Sequence, residues 1–240
     1  MHEKTLLDLN VKIFADGADK ASMLDLYRRS YIRGFTTNPT LMRKAGVVDY
    51  REFAREVLAV ITDRPISFEV FTDTAEEMIQ QGREIASWGE NVYVKIPVTN
   101  THGVFMGEVI RTLAADRVKL NVTAVMTLEQ TREIAACLSH DVPSIVSIFA
   151  GRIADSGRDP LPIMREAVEI LRPLPHAELI WASPRELLNI FHAEQAGCHI
   201  ITVTDDIMKK LPLIGKDLDV FSLETVRMFH GDAEAAGFSL

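Results

Sequence analysis

Apolar residues recur along this chain in short blocks, and the blocks alternate between two periods. Runs rich in Val, Ile and Phe have the length and composition of strands. They fall at "KIFADG" (12–17), "FTTNP" (35–39), "ISFEVF" (66–71), "NVYVKIP" (91–97), "KLNVTAV" (119–125), "SIVSIFAG" (144–151), "ELIWAS" (178–183) and "HIITVT" (199–204). The stretches between them have helical spacing. In "TAEEMIQQGREIASWG", Met78, Ile85 and Trp88 lie near one face and Gly89 is a stop signal. "PLPIMREAVEILR" and "PRELLNIFHAEQAG" open with proline in the first turn, and the second ends at Gly197, a C-cap residue.

Strand–helix alternation predicts right-handed βαβ units and a parallel sheet. Eight such strands in 240 residues fit a single α/β domain, a (β/α)8 TIM barrel over 1–240. A doubly wound open sheet is the competing architecture, but the "GxGxxG" fingerprint that favours it is missing. "KDLDVFSLETVRMFHG" adds a C-terminal helix at about 216–232, expected to pack across the barrel or onto a neighbouring subunit.

Strand parity places the polar residues. Side chains alternate faces along a strand. Ile66, Phe68 and Val70 oppose Ser67, Glu69 and Phe71; Val92, Val94 and Ile96 oppose Lys95; Leu120, Val122 and Ala124 oppose Asn121 and Thr123. If the apolar faces meet the helices, Asp16, Glu69, Lys95, Asn121 and Thr123 converge in the barrel mouth. Barrel enzymes carry their chemistry there, at the C-terminal strand ends. Thr36, Thr37 and Asn38 are expected to close strand two, Ser147 and Arg152 to lie on or after strand six, and Ser183 and Arg185 to close strand seven.

Lys95 is the most informative of these residues. An ammonium inside an apolar strand is costly unless it is paired or loses its charge. One reading is a buried Lys95–Glu69 ion pair that fills the barrel, which is a weak device for stability. The other is chemical. A desolvated lysine becomes a neutral amine, adds to a ketone and forms a Schiff base, an electron sink for breaking a neighbouring C–C bond. The acid/base work then falls to Asp16 and Glu69. Arg152 and Arg185 suit bidentate capture of a phosphate.

The bulk properties narrow the partners. A formal net charge of −8 argues against a nucleic-acid backbone binder but not against a small anionic substrate. "MHEKTLLDLN" lacks a secretory pattern, and no apolar run approaches the roughly 18 residues of a membrane span. Cys137 and Cys198 read as small core residues rather than a disulfide. A cytoplasmic location is expected. Seven histidines include no metal-ligand spacing, and His192 and His199 fall on different elements.

Taken in order, "FADGAD", "GFTTNPTL", "SFEV", "VYVKIPVT", "NVTAVMT", "SIFAGRI" and "WASPRE" resemble the transaldolase family, which also contains fructose-6-phosphate aldolase. The likeness runs from about residue 12 to 215. It implies that Lys95 is the Schiff-base lysine and that Asp16 takes the proton of the donor's C4 hydroxyl. Glu69 and Thr123 would hold the relaying water. Asn38, Asn121 and Ser147 would hold the three-carbon unit, and Arg152, Ser183 and Arg185 the sugar phosphate. The aldolase branch carries glutamine in place of Glu69 and tyrosine in place of Phe149. This chain therefore resembles the transferase branch, which moves dihydroxyacetone between sugar phosphates of the pentose phosphate type. The resemblance further implies no metal or organic cofactor and a homo-oligomer. Two alternatives stay open: an aldolase using free dihydroxyacetone, and a silent barrel that only binds sugar phosphates.

Overall fold

The computed structural model describes Leu6 and residues 8–238. Residues 1–5 of the N-terminal stretch discussed above lie outside the described residues. Eight parallel strands close on themselves in chain order: β1 (Lys12–Asp16), β2 (Ile32–Thr36), β3 (Ile66–Glu69), β4 (Val92–Pro97), β5 (Leu120–Val125), β6 (Ser144–Ile148), β7 (Ala177–Trp181) and β8 (Ile200–Thr204). The closure is a continuous β1–β8 ladder from Lys12↔Ile200 to Asp16↔Thr204, which excludes the open sheet. Helices fill the crossovers: α1 (Lys20–Tyr27), α2 (Pro39–Lys44), α3 (Tyr50–Leu58), α4 (Ala75–Ala86), α5 (Gly107–Ala115), α6 (Leu128–Ala135), α7 (Ala150–Asp155), α8 (Pro160–Leu171), α9 (Leu188–Ala196) and α10 (Asp205–Met208). The chain ends with α11 (Leu218–Ala235).

The core divides as parity requires. Val94, Ile96, Val122, Phe68 and Leu179 join the main cluster between strands and helices, together with Cys137, Cys198 and Trp181. Burial in that cluster pushes the Cys198 thiol up to about 12. A second, small cluster of Phe14, Ile145, Ile180, Ala182 and Ile200 fills the barrel interior, against Tyr93 and Phe149.

Two predicted strands end elsewhere. β2 runs Ile32–Thr36, earlier than the expected 35–39. Arg33 and Gly34 disguise its start, while Asn38 and Pro39 belong to the next helix. Gly34 is there for space: a Cβ at this position would sit 2.5 Å from the Phe14 ring. β6 ends at Ile148, so Ala150 and Gly151 already begin α7. Phe71, expected to share the inward face of strand three, lies past its end and is half exposed.

α11 starts two residues later and ends further on than the predicted 216–232. None of its residues is buried, and Leu218, Val220, Phe221, Val226 and Phe229 are all exposed. No helix among the described residues is long and apolar enough to cross a membrane.

The Phe14–Gly34 contact yields a stability prediction. The ring of Phe14 is almost fully buried. Gly34→Ala should therefore destabilise the barrel by about 1–3 kcal/mol, read from the urea midpoint. Adding Phe14→Leu should recover part of that loss. A Gly34→Ala protein with an unchanged midpoint would refute the close-approach explanation.

Candidate active site

The ladder sets neighbours at one level. Glu69 pairs with Lys95, and Lys95 with Asn121, so three polar residues stand side by side on β3, β4 and β5. Asp16 sits across the closure, paired with Thr36 on β2 and Thr204 on β8. Above this level opens a cavity of about 570 Å³ whose lining includes Asp16, Asn38, Glu69, Lys95, Thr123, Ser147, Phe149, Arg152, Ser183 and Arg185. Of the eleven residues given site roles from the sequence, ten line it and Asn121 does not.

Lys95 is 7% exposed. Its Nζ lies 3.2 Å from Glu69 Oε2 and donates to the backbone carbonyl of Thr37 at 3.0 Å. The amine is thus bracketed by one carboxylate and one neutral oxygen. Asp16 accepts a hydrogen bond from Thr36 Oγ1 at 2.8 Å, and Thr36 in turn contacts the hydroxyl of Thr202. Burial raises the pKa of Asp16; nearby Lys95 and the Thr36 hydrogen bond oppose the shift, and Glu69 adds to it. Thr123 Oγ1 is buried with no hydrogen-bond partner. Next to it, Ala124 takes φ +62°, where the β5–β6 register slips between Val122 and Val125. Such strain costs of order 1–3 kcal/mol and tends to gather at functional sites.

Asn121 departs from the expected arrangement. It has no exposed surface; its Nδ2 donates to Ser67 Oγ at 2.9 Å, and its Oδ1 accepts from Ser147 Oγ at 2.7 Å. Asn121 therefore forms the floor beneath the cavity and reaches it through Ser147. Asn38 also differs from its expected place, because it is the N-cap of α2 rather than a strand residue. Its side-chain oxygen accepts from Leu41 N at 2.9 Å, so what it can offer a ligand is N–H donors.

The opposite rim is basic. Arg152 on α7 stacks over Phe149, with its guanidinium carbon 5.4 Å from the ring centre. Arg185 forms a two-point ion pair with Asp155: Nε lies 3.0 Å from Oδ1 and Nη2 lies 2.5 Å from Oδ2. The pair holds the Asp155 carboxyl below the usual carboxylate range. Ser183 has φ +59°, and its carbonyl oxygen occupies the place of a side chain on Gly151, 1.6 Å from where a Cβ would stand. Only glycine fits at position 151.

Several participants carried no sequence signal. Thr37 contributes a backbone carbonyl, which no residue type announces. Thr202 reads as an ordinary strand residue, and Asp155 as a helix-end acid. Tyr50 lies in a helix that composition alone marks as surface. Its hydroxyl accepts from Glu69 N at 2.8 Å and donates to Glu69 O at 3.1 Å. Inward spacing from neighbouring strands located the carboxylates and the amine but not these supports.

An amine beside one carboxylate, in one cavity with a second and with two arginines, suits carbonyl chemistry on a phosphorylated substrate. Comparison with known proteins points the same way. A protein named "Probable transaldolase" from Caldicellulosiruptor saccharolyticus is 33% identical over 203 residues, covering 84% of this chain and 89% of its own. One of the same name from Clostridium acetobutylicum is 34% identical over 203 residues, with the same coverage. Among solved structures, dihydrodipicolinate synthase from Rhodopseudomonas palustris superposes with a TM-score of 0.55 at 14% identity, over 80% of this chain and 69% of that one, and shares the fold alone. The family model described as Transaldolase/Fructose-6-phosphate aldolase matches residues 13–240. The chain belongs to the transaldolase/fructose-6-phosphate aldolase family.

Proposed function

We propose that this protein is a transaldolase, transferring a dihydroxyacetone unit from a ketose phosphate to an aldose phosphate through a Schiff base on Lys95. The observation that carries the reading is the setting of the Lys95 amine, 3.2 Å from Glu69 and in one cavity with Asp16 and both arginines. The unprotonated amine adds to the ketone carbon, whose oxygen takes up a proton. Loss of water leaves an iminium. Glu69 and the unpartnered Thr123 hydroxyl are placed to hold that water. Asp16 then removes the proton of the C4 hydroxyl. As C4–O becomes a carbonyl, the C3–C4 bond breaks, and its electron pair passes into the iminium to give an enamine. The aldose phosphate leaves, and an acceptor aldehyde reverses the steps.

A raised pKa makes Asp16 a stronger base for the C4 hydroxyl. Arg152, Ser183 and Arg185 hold the phosphate. Arg185 does so with the guanidinium edge that Asp155 leaves open. Asn38 donates to substrate hydroxyls, and Ser147 and Asn121 act on the three-carbon unit as one hydrogen-bonded pair. Phe149 offers no hydroxyl to bring water or a proton to the enamine, which favours transfer over release. The setting is proposed to be cytoplasmic carbohydrate metabolism. The exposed apolar residues of α11 support a homo-oligomer in which this helix packs on a second copy.

Three outcomes are expected. Borohydride reduction in the presence of fructose 6-phosphate should leave a three-carbon adduct on Lys95, discharged by prior addition of erythrose 4-phosphate. Lys95→Ala should lose the adduct and about 10⁴-fold or more in kcat. An adduct that survives the acceptor, with free dihydroxyacetone released, would favour the aldolase; binding without any adduct would favour the silent barrel.

Asp16→Asn should cost about 10²–10⁴-fold in kcat yet raise stability at neutral pH. A carboxyl whose folded pKa exceeds its unfolded value weakens the fold as pH rises through the folded pKa. The gain should vanish below about the unfolded value of 3.8, where both states are protonated. Equal unfolding midpoints for the two proteins at pH 7 would contradict it.

For the oligomer, sedimentation of the full chain should give a mass above 26.8 kDa, and Phe221→Asp with Phe229→Asp should lower it. A wild-type monomer at micromolar concentration would end that proposal.

A further inference from the structure

The ladder between β2 and β3 is short. It pairs only Phe35↔Ile66 and Thr36↔Ser67. Its cross-strand bonds run in the regular parallel order, with Phe35 N donating to Pro65 O at 2.8 Å and Thr37 N to Ser67 O at 3.3 Å. The next rung of that order is Glu69 N to Thr37 O. It is missing. Glu69 N donates instead to the Tyr50 hydroxyl at 2.8 Å, and the released Thr37 carbonyl accepts from Lys95 Nζ at 3.0 Å.

We propose that Tyr50 is a positioning residue for the site, its hydroxyl substituting for a strand so that the Thr37 carbonyl can hold the Lys95 amine. The role rests on the Schiff-base reading given above. A buried N–H that left the ladder without another partner would carry its full desolvation cost. Tyr50 removes that cost and takes the Glu69 carbonyl as well, at 3.1 Å. Both backbone polar groups of Glu69 are thereby fixed, and with them the carboxylate 3.2 Å from Lys95. The tyrosine is itself held in an aromatic cage, with Phe71 at 4.4 Å, Trp88 at 5.5 Å and Phe68 at 5.9 Å between ring centres. Its place at the first turn of α3, with Asp49 capping that helix, aims a rigid side chain at the end of β3. One oxygen atom thus governs two of the partners of Lys95.

The test is Tyr50→Phe in the full chain, with Trp88→Phe as a companion that alters the same cage without touching the hydroxyl. Tyr50→Phe should lower kcat by about 10- to 100-fold, with KM for the sugar phosphate within about twofold, because the phosphate end is untouched. Trp88→Phe should lose stability but keep kcat. In the crystal structure of Tyr50→Phe, Glu69 N should close on Thr37 O, and Lys95 Nζ should leave it. Wild-type kcat in Tyr50→Phe, or a Lys95 amine still on Thr37 O with the Glu69 carboxylate unmoved, overturns the proposal. Should the wild-type protein form no adduct with sugar phosphates, the transaldolase reading falls, while the variant's structure still decides the placement of Lys95. Should Tyr50→Phe fail to fold, 3-fluorotyrosine at position 50 keeps the shape and changes the hydroxyl's acidity; kcat that moves with it supports the role, and unchanged kcat overturns it.

Discussion

A primary amine with 7% of its surface exposed must find partners inside the protein, and the upper barrel is arranged around those of Lys95. Burying the group alone would carry a penalty of several kcal/mol. The structure gives it one carboxylate and one peptide carbonyl. The carbonyl lies where the β2–β3 ladder ends at Thr37, with Glu69 N bonded to Tyr50 instead, and the chain turns into α2 at the next residue, its cap Asn38. Strand length, helix cap and amine placement are therefore one problem with one solution.

The two carboxylates of the mouth live in different surroundings. Glu69 stands beside the amine on the neighbouring strand. Asp16 stands across the closure, and burial outweighs its hydrogen bond from Thr36. Separation of this kind lets two like groups serve different proton transfers. The third acid near the cavity, Asp155, is tied to Arg185 and held well ionised. It shapes the basic rim by orienting Arg185.

The barrel was legible because its strands are apolar on one face and polar on the other. Period-two parity brought Glu69, Lys95, Asn121 and Thr123 to the mouth without any coordinates. It located side chains by direction, and direction is what a strand dictates. It misjudged β2, where Arg33 and Gly34 interrupt the apolar run and Gly34 does so to make room for Phe14, a residue 20 positions earlier in the chain. It also set Asn121 at the cavity surface, although Ser67 and Ser147 hold it one step below. Tyr50 and the Thr37 carbonyl were beyond its reach, because neither a backbone oxygen nor a tyrosine hydroxyl aimed at a peptide leaves a periodic trace.

The contact between Gly151 and Ser183 bears on how such a site can diversify. The loops after β6 and β7 touch backbone to backbone, with no room for even a methyl group between them. A change in the path of either one at this point would displace the other. Any change in the shape of the cavity then falls more easily on the far side of the mouth, which Asn38 and Lys44 of the α2 region line. The basic end of the cavity is pinned by backbone contact, and the opposite end is where its outline is freer to vary.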